Sequence, residues 1–144
     1  MIRSICASVY VIDFKNQELL MVYNKKLDKH LQPGGHIENE EMPMEAAIRE
    51  TLEETGITPI IIGNKFMNIT QPLAVEVYNT KIGQMIDIQY VGITDNKKIT
   101  DNENNNAKWL SYKDVISSNN IDDEIKEKFK YILREYSKYI NKGE

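Results

Sequence analysis

The chain has 144 residues, 41% hydrophobic and 28% charged, the make-up of one soluble globular domain with a core that needs no disulfide or structural metal. Its formal net charge of −4 excludes a protein built to coat nucleic acid, which would carry a basic stripe, but leaves nucleotide substrates open, because a bound cation can supply positive charge. No apolar run approaches the roughly 18 residues that cross a bilayer, Met1 to Cys6 lack the basic-then-apolar order of a signal peptide, and the lone Cys6 forbids an internal disulfide, so one cytoplasmic domain over residues 1–144 is expected.

Periodicity predicts the elements in chain order. Ser4 to Phe14 is apolar and β-branched and reads as a strand, followed by a turn at Lys15-Asn16-Gln17 and a second strand from Glu18 to Tyr23. Asn24, Lys25 and Lys26 open a polar loop. Pro43 to Thr55 is a helix, with proline suited to its first position and Gly56 to the position past its end. Thr58 to Ile69, Leu73 to Asn79 and Met85 to Thr94 read as strands, and Ala107 to Leu110 as a short one. The Asn-rich run from Asn102 to Asn106 reads as a surface loop, since asparagine favours turns. Asp122 to Ile140 reads as a long amphipathic helix, with Ile125, Phe129, Ile132, Leu133, Tyr136 and Ile140 at steps of three and four. An α/β fold follows, a sheet with helices on its faces.

The chemistry concentrates between Gly35 and Ile57. At 100° per residue Met44, Ala47, Ile48, Thr51, Leu52 and Thr55 fall on one arc of the helix, expected to pack on the sheet. Glu50, Glu53 and Glu54 fall on another, expected to point away from it. Three like charges near a helix C-terminus repel one another and oppose the macrodipole. A bound cation would relieve both, and carboxylate oxygens suit Mg²⁺ or Mn²⁺, which commonly also bind substrate phosphate. A solvated acidic face paired with nearby lysines is the competing reading of a Glu-x-x-Glu-Glu run taken alone.

The run is not alone. Gly35, five residues, Glu41, seven residues, then Arg49-Glu50-Thr51-Leu52-Glu53-Glu54-Thr55-Gly56-Ile57 resembles the Nudix signature, Gly-x5-Glu-x7-Arg-Glu-U-x-Glu-Glu-x-Gly-U, in which U is a bulky aliphatic residue. Every glycine and charged position matches; the one departure is Thr51, β-branched and still able to pack. The lead-in Leu31-Gln32-Pro33-Gly34-Gly35-His36-Ile37-Glu38 is similar to the family's as well.

The resemblance implies a Nudix-type α/β/α sandwich, a mixed β-sheet with helices on both faces. It implies divalent-cation-dependent hydrolysis of the diphosphate linkage in a nucleoside-diphosphate-linked compound, by water attack on phosphorus, with Mg²⁺ as the cofactor and Mn²⁺ as a possible substitute. By resemblance Glu50 and Glu54 are the main metal ligands, Glu53 is a further ligand or the base, and the Gly35 carbonyl is an added ligand. Arg49 and Glu41 are organisers of the site. A further acid from outside the motif, acting as ligand or base, is expected at Glu103, with Asp101 as its competitor. The expected partner is a small-molecule nucleotide, with no membrane and no nucleic-acid coat; a homodimer is compatible.

Other residues have two readings. His36 is a phosphate contact or a loop side chain with a local hydrogen bond, and His30 lies in a polar loop. Tyr23, Tyr78, Tyr90 and Trp109 offer rings for stacking on a base, though aromatics in strands commonly build the core. Pro72, 15 residues beyond Ile57, has a spacing similar to one associated with ADP-ribose-hydrolysing members, or separates two strands. The alternative function is a non-catalytic Nudix-fold module that binds a nucleotide in a regulatory role.

Overall fold

A computed structural model describes residues 2–100 and 106–140. In chain order the strands β1 (Ile2–Asp13), β2 (Glu18–Asn24), β3 (Lys29–Leu31) and β4 (Gly34–His36) precede helix α1 (Pro43–Thr55). Then come β5 (Ile60–Ile62), β6 (Lys65–Phe66), β7 (Ile69–Thr70), β8 (Ala74–Thr80), β9 (Gly83–Ile93) and β10 (Ala107–Ser111), and finally α2 (Tyr112–Ser117) and α3 (Asp123–Glu135).

Eight strands form one mixed sheet in the order β10-β2-β1-β9-β5, with β3 on β2, β4 on β1 and β8 on β9. The β1–β9 pair is parallel, from Ser4 opposite Met85 to Val11 opposite Gly92, and the other pairs are antiparallel. The period-2 alternation of β1 decides the layers. Ala7, Val9 and Val11 are buried with Ala46 and Ala47 of α1, together with Leu20, Ile57 and Tyr90. Tyr10 and Ile12 point the other way, into a second core with Val115 of α2 and Ile125, Phe129 and Ile132 of α3. Helices therefore cover both faces, as the α/β/α expectation has it. Each such aliphatic or aromatic side chain withdrawn from water contributes about 1.5–3 kcal/mol.

Four local expectations change. The segment 58–69 is not one strand: Gly63 has φ +147°, and Met67 and Asn68 have positive φ in the turn of the β6–β7 hairpin. The stretch 29–36, read as loop, supplies β3 and β4, short strands whose pairing outweighs their polar composition. A short helix α2 follows β10, with the Ser111 hydroxyl accepting from the Asp114 N–H at its start. The last helix ends at Glu135, and a 3-10 turn over Ser137–Tyr139 replaces its final turn.

Candidate active site

Helix α1 is delimited by its sequence. Pro43 begins it, and the Glu45 carboxylate accepts from the Met42 N–H at 2.8 Å. Gly56 ends it at φ +76°, where its N–H bonds the Leu52 carbonyl at 2.8 Å. A side chain there would also be blocked, because a Cβ would lie 1.7 Å from Thr100 Oγ1. The packed face is Ala46, Ala47, Thr51 and Thr55, while Leu52, expected inward, is 43% exposed. Thr51 is fully buried and donates to the Ala47 carbonyl at 2.8 Å, so the departure from an aliphatic residue is accommodated within the helix.

The packed face keeps Met44, Ala47, Thr51 and Thr55 of the expected arc but takes in Ala46 and leaves out Leu52, and Glu50 and Glu54 are carried round with that shift. They do not point away from the sheet but lie against β4. Glu54 Oε1 accepts from the Gly34 N–H at 2.8 Å. The Glu50 carboxylate covers Gly35, where a Cβ would stand 2.4 Å from Glu50 Cδ. Gly35 therefore leaves a cradle for a carboxylate. Glu53 is the outward member of the trio, half-exposed.

Arg49 ties the segment together. Its Nε donates to Glu41 Oε2 at 2.7 Å and its Nη2 to Glu41 Oε1 at 3.1 Å, a bidentate pair. Nη1 donates to Glu50 at 3.0 Å and Glu53 at 3.2 Å, and Nη2 also reaches the His36 carbonyl at 3.0 Å. The hydrogen bonds from Arg49 hold the Glu41 carboxyl below the usual carboxylate range, and Glu41 in turn pushes the Arg49 guanidinium above its ordinary value. One guanidinium thus aligns three carboxylates, two on adjacent turns of α1 and one from the loop before it, and offsets part of their charge.

Of the carboxylates, Glu54 opens onto a cleft of about 590 Å³ that is also lined by Val22, Tyr23, Leu31, Gln32 and Gly34, with the polar Asn24, Lys25, Lys26 and Asn106. Tyr23 is the one of the four candidate aromatics on this lining. Tyr90 belongs to the α1-side core, Trp109 packs beside that core with its Nε1–H on the Lys97 carbonyl, and Tyr78 bonds Glu124. The His36 ring lies 3.5 Å from Cys6 Sγ, the local contact of its second reading. His30 packs on Tyr23 with ring centres 5.2 Å apart, and burial pushes its pKa down. Pro72 separates β7 from β8.

Glu103 and Asp101 lie outside the described residues. The residues that flank them are anchored at the site. The Thr100 N–H bonds the Thr55 carbonyl at the end of α1, and the Asn106 carbonyl accepts from the Tyr23 N–H in the cleft wall. Lys97 pins the approach, donating to Asp13 and Glu18 and standing 4.7 Å from the Trp109 ring centre.

Among the described residues no group of three or more His, Cys, Asp or Glu is arranged to close on a single ion. The donor set nevertheless suits a hard divalent cation: carboxylates of Glu50, Glu53 and Glu54 on adjacent turns, and a glycine cradle under one of them.

Beneath the cleft, on the α3 side of the sheet, is a polar group that periodicity did not single out. Asp87 and Gln89 of β9 are buried, as is Ser8 of β1. Ser8 Oγ donates to Asp87 Oδ2 at 3.0 Å, and the Gln89 and Gln32 amides donate to the same oxygen at 3.1 and 3.4 Å. Burial pushes the Asp87 carboxyl up. The available signal was polar side chains at alternate positions of an otherwise apolar strand.

A family model described as the NUDIX domain matches residues 3–132. Among solved structures, a hydrolase of the NUDIX family from Clostridium perfringens superposes with a TM-score of 0.80 at 26% identity, over 91% of this chain and 96% of that one. The NUDIX domain of Shewanella oneidensis NrtR, solved with ADP ribose, shares the fold at a TM-score of 0.71 and 17% identity, over 91% and 88% of the two chains. A curated Lactococcus lactis protein named "Probable DHNTP pyrophosphohydrolase" is 33% identical over 85 residues, 58% of this chain and 51% of that protein, so the match spans about half the relative's length.

Proposed function

The chain belongs to the Nudix hydrolase family, and on that premise we propose that it is a divalent-cation-dependent pyrophosphohydrolase that cleaves the diphosphate linkage of a nucleoside-diphosphate-linked compound by water attack on phosphorus. The observation that carries this reading is the Arg49-organised set of Glu41, Glu50 and Glu53, next to Glu54 at the mouth of the cleft.

Glu50, Glu53, Glu54 and the Gly35 carbonyl would hold Mg²⁺ or Mn²⁺. When bound, the cation screens the diphosphate charge and makes water more acidic. The chain's own groups do the rest. Arg49 fixes the Glu50 and Glu53 carboxylates through direct hydrogen bonds, and fixes Glu41 as their bidentate counterweight. The Gly34 N–H aligns Glu54. Glu53, exposed toward solvent, or Glu103 accepts the proton of the attacking water. Lys25 and Lys26 on the cleft wall attract the remaining phosphate charge.

The test is a hydrolysis screen with Mg²⁺ and with Mn²⁺ over nucleoside triphosphates, dinucleoside polyphosphates, nucleotide sugars, ADP ribose and DHNTP, with products identified. Run in ¹⁸O-water, label in a phosphate product marks attack on phosphorus. No turnover of any phosphoanhydride would overturn the proposal, and tight binding without turnover would favour a nucleotide-binding regulatory module instead.

A further inference from the structure

Among the described residues, strand β8 (Ala74–Thr80) pairs with β9 alone, so its outer edge presents seven residues of backbone without a partner strand. The usual guards of such an edge are missing: no proline, glycine or lysine lies within Ala-Val-Glu-Val-Tyr-Asn-Thr. Its one charge, Glu76, is tied to Lys128 of α3, and the Tyr78 hydroxyl donates to Glu124 of the same helix at 3.2 Å. One face of β8 is thus fastened to α3, and the edge itself stays open.

The other face is apolar and uncovered. Register sets Ile5 of β1, Ile86 of β9 and Val77 of β8 abreast, with Ala7, Ile88 and Val75 abreast in the next row. Ala7 and Ile88 belong to the core under α1, but that cover ends there: Ile5 is 45%, Val77 54% and Val75 59% exposed. Apolar side chains therefore run from the α1 core out to the bare edge. A contiguous apolar patch beside unpaired strand backbone marks a contact surface.

We propose that two copies of this chain join at β8, antiparallel about a two-fold axis at Glu76, so that the sheet runs on from one subunit into the other. What selects a second copy is the strand's own sequence. About that axis Val75 of each copy stands opposite Val77 of the other, and Ala74 opposite Tyr78, a small side chain beside a large one. An axis moved by one residue to Val77 would set Val75 against the polar Asn79. On the α3 side the two Glu76 carboxylates approach each other, and the two Lys128 ammoniums offset them, four charges that sum to zero. Such an edge closes as a dimer and stops, because pairing uses the open edge of both copies. An interface of one strand edge and its flanking side chains falls at the small end of specific contacts, below roughly 1,200 Å², which suits a dissociation constant in about the micromolar range.

The test is the oligomeric state of the full chain by sedimentation velocity, over concentrations from about 1 to 200 µM that bracket this affinity. The expected result is a monomer–dimer equilibrium. Val77→Lys and Val75→Lys, both at exposed positions and checked for folding by melting curves, should each raise the dissociation constant by about 10²-fold or more, since every dimer would then hold two lysines against valines. Chains carrying Val75→Lys mixed with chains carrying Val77→Glu should form a dimer again, because an axis at Glu76 brings these two positions face to face. A chain that stays monomeric at every concentration leaves the edge to a strand of another protein and overturns the proposal. A dimer unmoved by either lysine also overturns it, by placing the contact elsewhere. A mixture of the Val75→Lys and Val77→Glu chains that remains monomeric overturns it too, by refuting the axis.

Discussion

The Glu50 carboxylate occupies the space a side chain at residue 35 would need: a Cβ on Gly35 would come within 2.4 Å of Glu50 Cδ and 2.6 Å of both carboxylate oxygens. Helix α1 and strand β4 are thus keyed together at the residue pair that opens and anchors the charged segment. Gly35→Ala should displace Glu50 by roughly 1 Å and lower kcat by about 10²-fold, as small misplacements of reacting groups do. Circular dichroism should show the fold retained. Unchanged kcat would mean that the position of Glu50 is irrelevant to turnover.

Arg49 bridges Glu41, Glu50 and Glu53, and a lysine cannot reproduce its fork. Arg49→Lys should lower kcat/KM by about 10- to 100-fold, the usual effect of losing a group that orients ligands. Arg49→Ala should also lower the melting temperature, since three carboxylates would then face one another without a counter-charge. Steady-state kinetics on both variants, with thermal melts, check this.

Chelation of divalent cations should remove turnover, and Mg²⁺ or Mn²⁺ should restore it. Glu54→Gln should reduce turnover on the order of 10²-fold or more, while its retained amide oxygen still accepts the Gly34 N–H. Its melting temperature without metal should therefore stay within about 4 °C of wild type, equivalent to about 1 kcal/mol or less. A large fall in the metal-free melting temperature would assign Glu54 a structural role.

The Asp87 carboxyl is pushed up, first by burial, against the lowering effect of its hydrogen bonds from Gln89 and Ser8. A carboxyl raised in the folded state binds its proton more tightly there than in the unfolded chain. Its protonated form therefore favours folding below the unfolded value near 3.8, and that contribution is lost as pH rises through the folded value. Asp87→Asn should match or exceed the wild-type melting temperature at pH 7, with the gap narrowing as pH falls toward 4. A gap that widens on acidification would reverse the sign of the argument.

Glu103→Gln should lower kcat by about 10²-fold, within the range for general acid–base assistance, and Asp101→Asn should act less. The anchoring of Thr100 on Thr55 and of Asn106 on Tyr23 motivates this. The opposite order would make Asp101 the acid. Silence from both would leave Glu53 as the base.

Much of this was legible in the sequence because the signals were local. Pro43 and Gly56 bounded α1 to the residue, and the 3.6-residue period found the buried Ile125, Phe129 and Ile132 of α3. The spacing of Glu41 and Arg49 anticipated their pairing. What escaped depends on tertiary context. Strands β3 and β4 exist because β2 and β1 offer them partners, and no pattern in Lys29–Leu31 or Gly34–His36 announces that. The turn of Glu50 and Glu54 toward β4 accompanies a small shift of the packed face, which keeps Met44, Ala47, Thr51 and Thr55 of the expected arc, takes in Ala46 and leaves Leu52 exposed. Asp87 and Gln89 read as strand residues of no special note until Ser8 and Gln32, distant in sequence, met them.

Strand β1 keeps two separate accounts of its side chains. Ala7, Val9 and Val11 support the charged helix, while on the other side Ser8 joins the polar cluster and Tyr10 the core under α3. Substitutions at one parity therefore act on one layer and leave the packing of the other in place. A single-residue insertion has no such latitude. Because strand side chains alternate, a slip of one position would carry the polar serine under the helix and a valine into the cluster, damaging both faces in one event.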